Sequence, residues 1–239
     1  MTPQGTYDVV VFGPHPDDVE MSMAGTIIRL REAGKRVLNV SLTRGEKGTY
    51  GTQETRRAEF EAANKVMDTD GLLLDFPDTA VTNDYEGKLK IARVVRTTRP
   101  TVVFAPYHTN RFGHLDGSAN VDHYTSGALV RDGIKLARFR NLLPELPPHE
   151  VAHLYYFLLP KDLMPTIVVD VTAVIDRVWE AIRAYHTQMS IRRRENPIFE
   201  LLETMRRYHG VRIGRPFGEP FYSDEALSFG PHEFFGARE

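Results

Sequence analysis

Apolar residues run almost unbroken from Asp8 to Phe12 (DVVVF), and again from Arg36 to Leu42 (RVLNVSL). Runs of β-branched and aromatic residues of this length read as strands buried on both faces. Between them the period changes. From Val19 to Ala33, Met23, Ile27 and Leu30 fall at spacings of four and three, which predicts a helix, with Gly34 where its C-terminal cap belongs. The alternation then repeats. Glu54 to Met67 predicts a second helix, Gly71 to Leu74 a short third strand, and Glu86 to Thr97 a third helix. Thr101 to Ala105 (TVVFA) predicts a fourth strand, before a polar loop from Pro106 to Asn120.

This βαβαβαβ order predicts an α/β fold, a Rossmann-like parallel sheet with helices on both faces. Ligands of such sheets bind beyond the carboxyl ends of the strands, near the switch in strand order. The loops after Phe12 and Ala105 are therefore the places to look for chemistry. The second half predicts a C-terminal strand and helix extension. Asp122 to Phe139 reads as a helix, and His153 to Leu158 and Thr166 to Val171 as strands forming a hairpin that leaves the sheet. Thr172 to His186 and Pro197 to His209 read as helices, Pro197 suiting a first turn. The stretch Gly210 to Glu239 reads as extended structure over the core. No repeat or linker interrupts the 239 residues, so one domain over 1–239 is expected.

Composition narrows the function classes. Lys and Arg total 30 against 32 Asp and Glu, a net charge of −2, which argues against a nucleic-acid surface. Apolar runs such as Leu154 to Leu159 fall far short of the roughly 18 residues a membrane span needs. Met1 to Asp8 lacks the charged and apolar regions of a signal peptide, so a cytoplasmic location is expected. With no cysteine, disulfides, iron–sulfur clusters, thiolate zinc sites and cysteine nucleophiles are all excluded. No Gly-x-Gly-x-x-Gly follows the first strand, and no P-loop or Gly-x-Ser-x-Gly occurs.

Directly after the first strand stands Gly13-Pro14-His15-Pro16-Asp17-Asp18-Val19-Glu20. His15 and Asp18 are three apart, so one turn can bring both to a metal ion. Asp17 between them then points elsewhere, a carboxylate beside the ion but not bound to it. A metal hydrolase needs that division between ligands and a base for the attacking water. The competing reading is that Asp17 or Asp18 merely caps the helix at Val19. A mononuclear catalytic site needs a third protein ligand. The second crevice loop offers His108, His114 and His123, and spacing alone does not choose among them.

The segment Pro14 to Glu20, with Asn120-Val121-Asp122-His123 after the fourth strand, resembles the LmbE-like (PIG-L) de-N-acetylases, zinc enzymes that remove acetyl groups from N-acetylglucosamine conjugates. The stretches Gly45-Glu46 and Gly51 to Arg56 are similar to that family's second loop. Gly210 to Phe221 is most similar to the bacillithiol-biosynthesis branch, which deacetylates N-acetylglucosaminyl-malate. The resemblance implies one zinc ion per chain on His15, Asp18 and His123, with Asp17 as general base. It implies that Asp122 orients a catalytic neighbour and that Arg56 and Glu46 lie in the substrate pocket. It also brings Gln188 (in Tyr185-His186-Thr187-Gln188) to the pocket, and Glu219 and Phe221 to a substrate wall.

The chain departs from the family at Asn120, where the usual residue is a histidine that stabilises the oxyanion. An Asn amide donates a hydrogen bond but brings no charge, and losing one oxyanion donor typically costs about 10²–10³ in rate. His114, in an apparent insertion from Gly113 to Ala119, is a candidate substitute. The resemblance implies a small amino-sugar substrate and a trimeric or hexameric homo-oligomer, for which Phe229, Phe234 and Phe235 offer a contact. Two alternatives stand beside the deacetylase: a metal- or sugar-binding relative weakened at Asn120, and a hydrolase of a different amide or a phosphoester.

Overall fold

The computed structural model describes residues 5–111, 113, 120–193 and 195–228. Its centre is a parallel sheet of β1 (Val9–Gly13), β2 (Val37–Ser41), β3 (Asp70–Leu73), β4 (Val102–Pro106) and β5 (His153–Phe157), in the order β3-β2-β1-β4-β5. The crossovers run through α1 (Asp18–Glu32), α2 (Gln53–Met67), α3 (Tyr85–Thr98) and α4 (Val121–Ala137). Strand residues alternate between two cores. Val10 and Phe12 of β1 face the core shared with α3 and α4, while Val9 and Val11 face the core shared with α1. Burial on both faces accounts for the unbroken apolar runs. The order reverses between β1 and β4, so the loops leaving these two strands meet over the crevice.

The second half departs from the sequence reading in its pairings and in where a helix begins. His153–Phe157 and Ile167–Asp170 form no hairpin. β5 is the fifth parallel strand, beside β4, and β6 (Ile167–Asp170) pairs antiparallel with β9 (Gly218–Phe221). The segment between β5 and β6 carries Pro160 and Pro165 and turns at Leu158 with φ 50°, so it leads the chain away rather than back. The helix expected from Thr172 opens as a 3-10 turn and becomes α5 (Ile175–Arg183). Arg192–Arg193 is a two-residue strand, β7, paired with β8 (Asn196–Pro197). α6 (Ile198–Val211) then packs on β9, so closely that a Cβ on Gly218 would lie 3.0 Å from the Gly210 amide nitrogen.

Glu219 and Phe221 line no wall. Both are buried, and Glu219 completes α1. That helix is broken at Met23 (φ −147°, ψ 22°), which frees backbone groups in mid-helix. The Glu219 carboxylate accepts from Gly25 N–H (3.1 Å), Thr26 N–H (2.7 Å) and the Thr26 hydroxyl (2.8 Å). Arg206 of α6 pairs with it at 2.9 Å and reaches the Glu20 carbonyl at 3.4 Å. One ion pair therefore supplies both the donor and the acceptors that the break demands. No described helix is long and apolar enough to cross a membrane.

Candidate active site

The turn after β1 brings three donor groups together. Asp18 opens α1, and its Oδ2 lies 3.0 Å from the His15 amide nitrogen and 2.9 Å from His15 Nδ1. Its Oδ1 lies 3.3 Å from Nε2 of His123, which the first turn of α4 presents from across the crevice. The ligand atoms of His15, Asp18 and His123 all lie within 4.8 Å of one another. Two imidazole nitrogens and a carboxylate are a donor set that fits a divalent ion of zinc's kind, with positions left for water and substrate. His108 goes elsewhere, its ring 2.8 Å from Asp224 and stacked on Tyr107.

Asp17 is placed differently from its neighbour. It precedes α1 but makes no side-chain cap, and its backbone has φ 130°, a region that side-chain-bearing residues seldom occupy. Arg56 of α2 holds it from behind. The guanidinium donates to the Pro16 carbonyl and lies 3.2 Å from Asp17 Oδ2. Burial pushes the Asp17 carboxyl up to about 6, against the pull of Arg56. Burial would raise Asp18 too, but His123 and His15 override it and hold Asp18 well below the usual carboxylate range. At His15 burial opposes the charge, yet Asp122, Asp18 and Asp78 prevail and push the imidazole up to about 12. Two adjacent aspartates thus have opposite environments, one tied to the histidines and one tied to an arginine.

Asp122 lies beneath. Its Oδ2 is 3.2 Å from His15 Nε2, on the side of the ring away from Asp18. Asn120 caps α4, its Oδ1 accepting from the Asp122 amide at 3.0 Å, and its NH₂ has no partner among the described residues. A profile of the PIG-L family, described as GlcNAc-PI de-N-acetylase, matches residues 10–133, more than half of the chain and the whole of this cluster.

The chain belongs to the PIG-L family.

Among solved structures, the conserved protein TT1542 from Thermus thermophilus superposes on it with TM-score 0.84 at 32% identity, covering 95% of this chain and 98% of that one. The diacetylchitobiose deacetylase of Thermococcus kodakarensis is 27% identical over 233 residues, 88% of this chain and 80% of the relative. An N,N'-diacetylchitobiose deacetylase from Pyrococcus horikoshii, complexed with its inhibitor, gives TM-score 0.77 at 25% identity, covering 89% and 82%. These PIG-L relatives with named activities are de-N-acetylases, hydrolases of an amide, and the His/Asp group is consistent with a metal-dependent deacetylase.

The remaining site candidates of this PIG-L chain hold its loops. Gln188 is buried, and its amide donates to the Tyr50 carbonyl at 3.0 Å, tying the segment after α5 to the loop before α2. Glu46 accepts from the Asp78 amide at 2.9 Å. His114, the rest of the insertion to Ala119, and Phe229, Phe234 and Phe235 lie outside the described residues.

The sequence reading missed Asp78 and Thr79, which follow β3 on the same rim. Asp78 Oδ1 lies 3.2 Å from His15 Nε2, and Thr79 N–H donates to Asp122 Oδ2 at 2.7 Å. Thr79 does so at φ 67°, which costs a β-branched residue roughly 1–2 kcal/mol. Thr79→Asn, which tolerates that conformation and keeps the amide, is expected to stabilise the protein by about 1 kcal/mol. Thermal unfolding checks this; a lower Tm would show that the threonine side chain contributes more than the strain removes.

Proposed function

We propose that this chain is a zinc-dependent hydrolase that removes the acetyl group from an N-acetylglucosamine conjugate. The observation that carries the reading is the separation of roles at two adjacent carboxylates. Asp18 joins His15 and His123 in a ligand set, while Asp17 is held by Arg56 outside it. A divalent ion on His15, Asp18 and His123 supplies Lewis acidity for an amide carbonyl and an acidified water.

The protein's own groups do the rest. Asp17 takes the proton of the attacking water as the new C–O bond forms. It returns that proton to the sugar nitrogen as the C–N bond breaks, giving acetate and a free amine. The Asn120 NH₂ donates to the oxygen that gains charge, in place of the family's histidine. Arg56 keeps the Asp17 carboxylate and the Pro16 carbonyl in register. Gln188 and Glu46 brace the loops that border the sugar.

The relatives support a disaccharide such as N,N'-diacetylchitobiose. The stretch Gly210 to Phe221, which resembles the malate-conjugate branch, supports that substrate less. Its Glu219 completes α1, and Gly210 and Gly218 permit close backbone packing, so the likeness has a structural reason. A panel of N,N'-diacetylchitobiose, N-acetylglucosaminyl-malate and free N-acetylglucosamine tests the reading. Acetate and free amine are expected in equal amounts from at least one, with the disaccharide fastest. No acetate from any of them, with the ion bound, would contradict it.

A further inference from the structure

The geometry points to Asp78 as a positioning residue that, with Asp122, fixes the His15 ring so that Nδ1 and not Nε2 faces the metal; we propose this role on the strength of the metal-site reading above. His15 has Asp18 on one side and two aspartates on the other. Asp122 Oδ2 takes the hydrogen bond from Nε2 at 3.2 Å, and Asp78 Oδ1 lies at the same distance. A bare Nε2 lone pair would face two anionic oxygens at once. An Nε2–H faces two acceptors. The surroundings therefore keep a proton on Nε2, and an ion shared with Asp18 and His123 would take the place of the proton at Nδ1, which lies 2.9 Å from Asp18 Oδ2.

Both carboxylates are anchored by backbone, so neither can turn away. Asp78 Oδ2 accepts from Lys47 N–H at 2.8 Å, while Asp78 N–H donates to Glu46 at 2.9 Å. Asp122 accepts from Thr79 N–H and from Val81 N–H, the latter at 3.2 Å. The turn 78–81 thus supplies one carboxylate and grips the other, and the positive φ of Thr79 turns the chain so that the Val81 amide reaches the same Asp122 as the Thr79 amide. Asp78 is 3% exposed and Asp122 fully buried, so water competes little for either. The grouping of His15, Asp78 and Asp122 within 4.8 Å could also be read as a second ion site. The hydrogen bonds already made by both carboxylates favour the orienting role.

Asp78→Asn is the diagnostic variant. Asn offers one carbonyl oxygen where two acceptors are needed, so with Lys47 N–H satisfied an NH₂ group turns toward Nε2–H. Competition of Zn²⁺ against a chromophoric chelator is expected to show affinity reduced about 10–100-fold. Asp75→Asn, on an exposed aspartate paired with Lys90, should leave affinity unchanged. Should Asp78→Asn fail to fold, nitrogen NMR of zinc-loaded wild type tests the same point, with a protonated Nε2 and a metal-bound Nδ1 expected at His15. Unchanged affinity in Asp78→Asn, zinc on Nε2, or two ions per chain in wild type would each overturn the assignment. Wild type that binds no divalent ion at all would overturn the metal reading with it.

Discussion

Asp17→Asn is expected to lower kcat by about 10²–10⁴ while leaving zinc content and KM within a few-fold of wild type. The substitution removes the ability to take a proton and little else. Asn tolerates positive φ better than most residues, so the strained turn at Asp17 survives. Its carbonyl oxygen still accepts from Arg56, so the buried guanidinium keeps a partner. Asp18→Asn is the contrasting variant. It takes charge from a carboxylate that lies between His15 and His123, and the ion itself should be lost. Steady-state kinetics together with metal analysis separates the two. Equal loss of metal in both variants would mean that Asp17 is a ligand and not the base.

The largest effect on stability is expected at Glu219, far from the chemistry. Glu219→Gln should destabilise by about 3–5 kcal/mol, because it breaks a buried ion pair and leaves Arg206 uncompensated. For a chain of this size that is on the order of 10 °C in Tm. Gln also presents an NH₂ to donors that need acceptors, whether Arg206 with Gly25 N–H on one oxygen or Thr26 on the other. The double variant Glu219→Leu with Arg206→Met should recover only part of the loss. It removes both charges but leaves the Gly25 and Thr26 amides without acceptors at the break in α1. Chemical denaturation of the single and double variants checks this, and full recovery would show that the helix break needs no cap.

What the sequence disclosed and what it withheld follow from the range of the forces involved. The strands were legible because burial on both faces forces unbroken apolar runs, as at Val9–Phe12. The loop after β1 was legible because its histidine and aspartates are adjacent in the chain and sit at a strand end. The break at Met23 was not, since no proline marks it and its cap arrives from Glu219, 194 residues beyond Gly25. Nor was the partner of β6, which lies beyond two helices and a hairpin of other residues. Asp78 carried one faint signal, a carboxylate just past the carboxyl end of β3 on the crevice rim. Nothing in its spacing from His15 shows that the two side chains meet.

The most direct test of the central claim is acetate release from N,N'-diacetylchitobiose by protein stripped with a chelator and then titrated with Zn²⁺. The account predicts no release from the stripped protein and a rise in rate that ends at one ion per chain, absent in Asp17→Asn at every ratio. Release from the stripped protein at the full rate would contradict it.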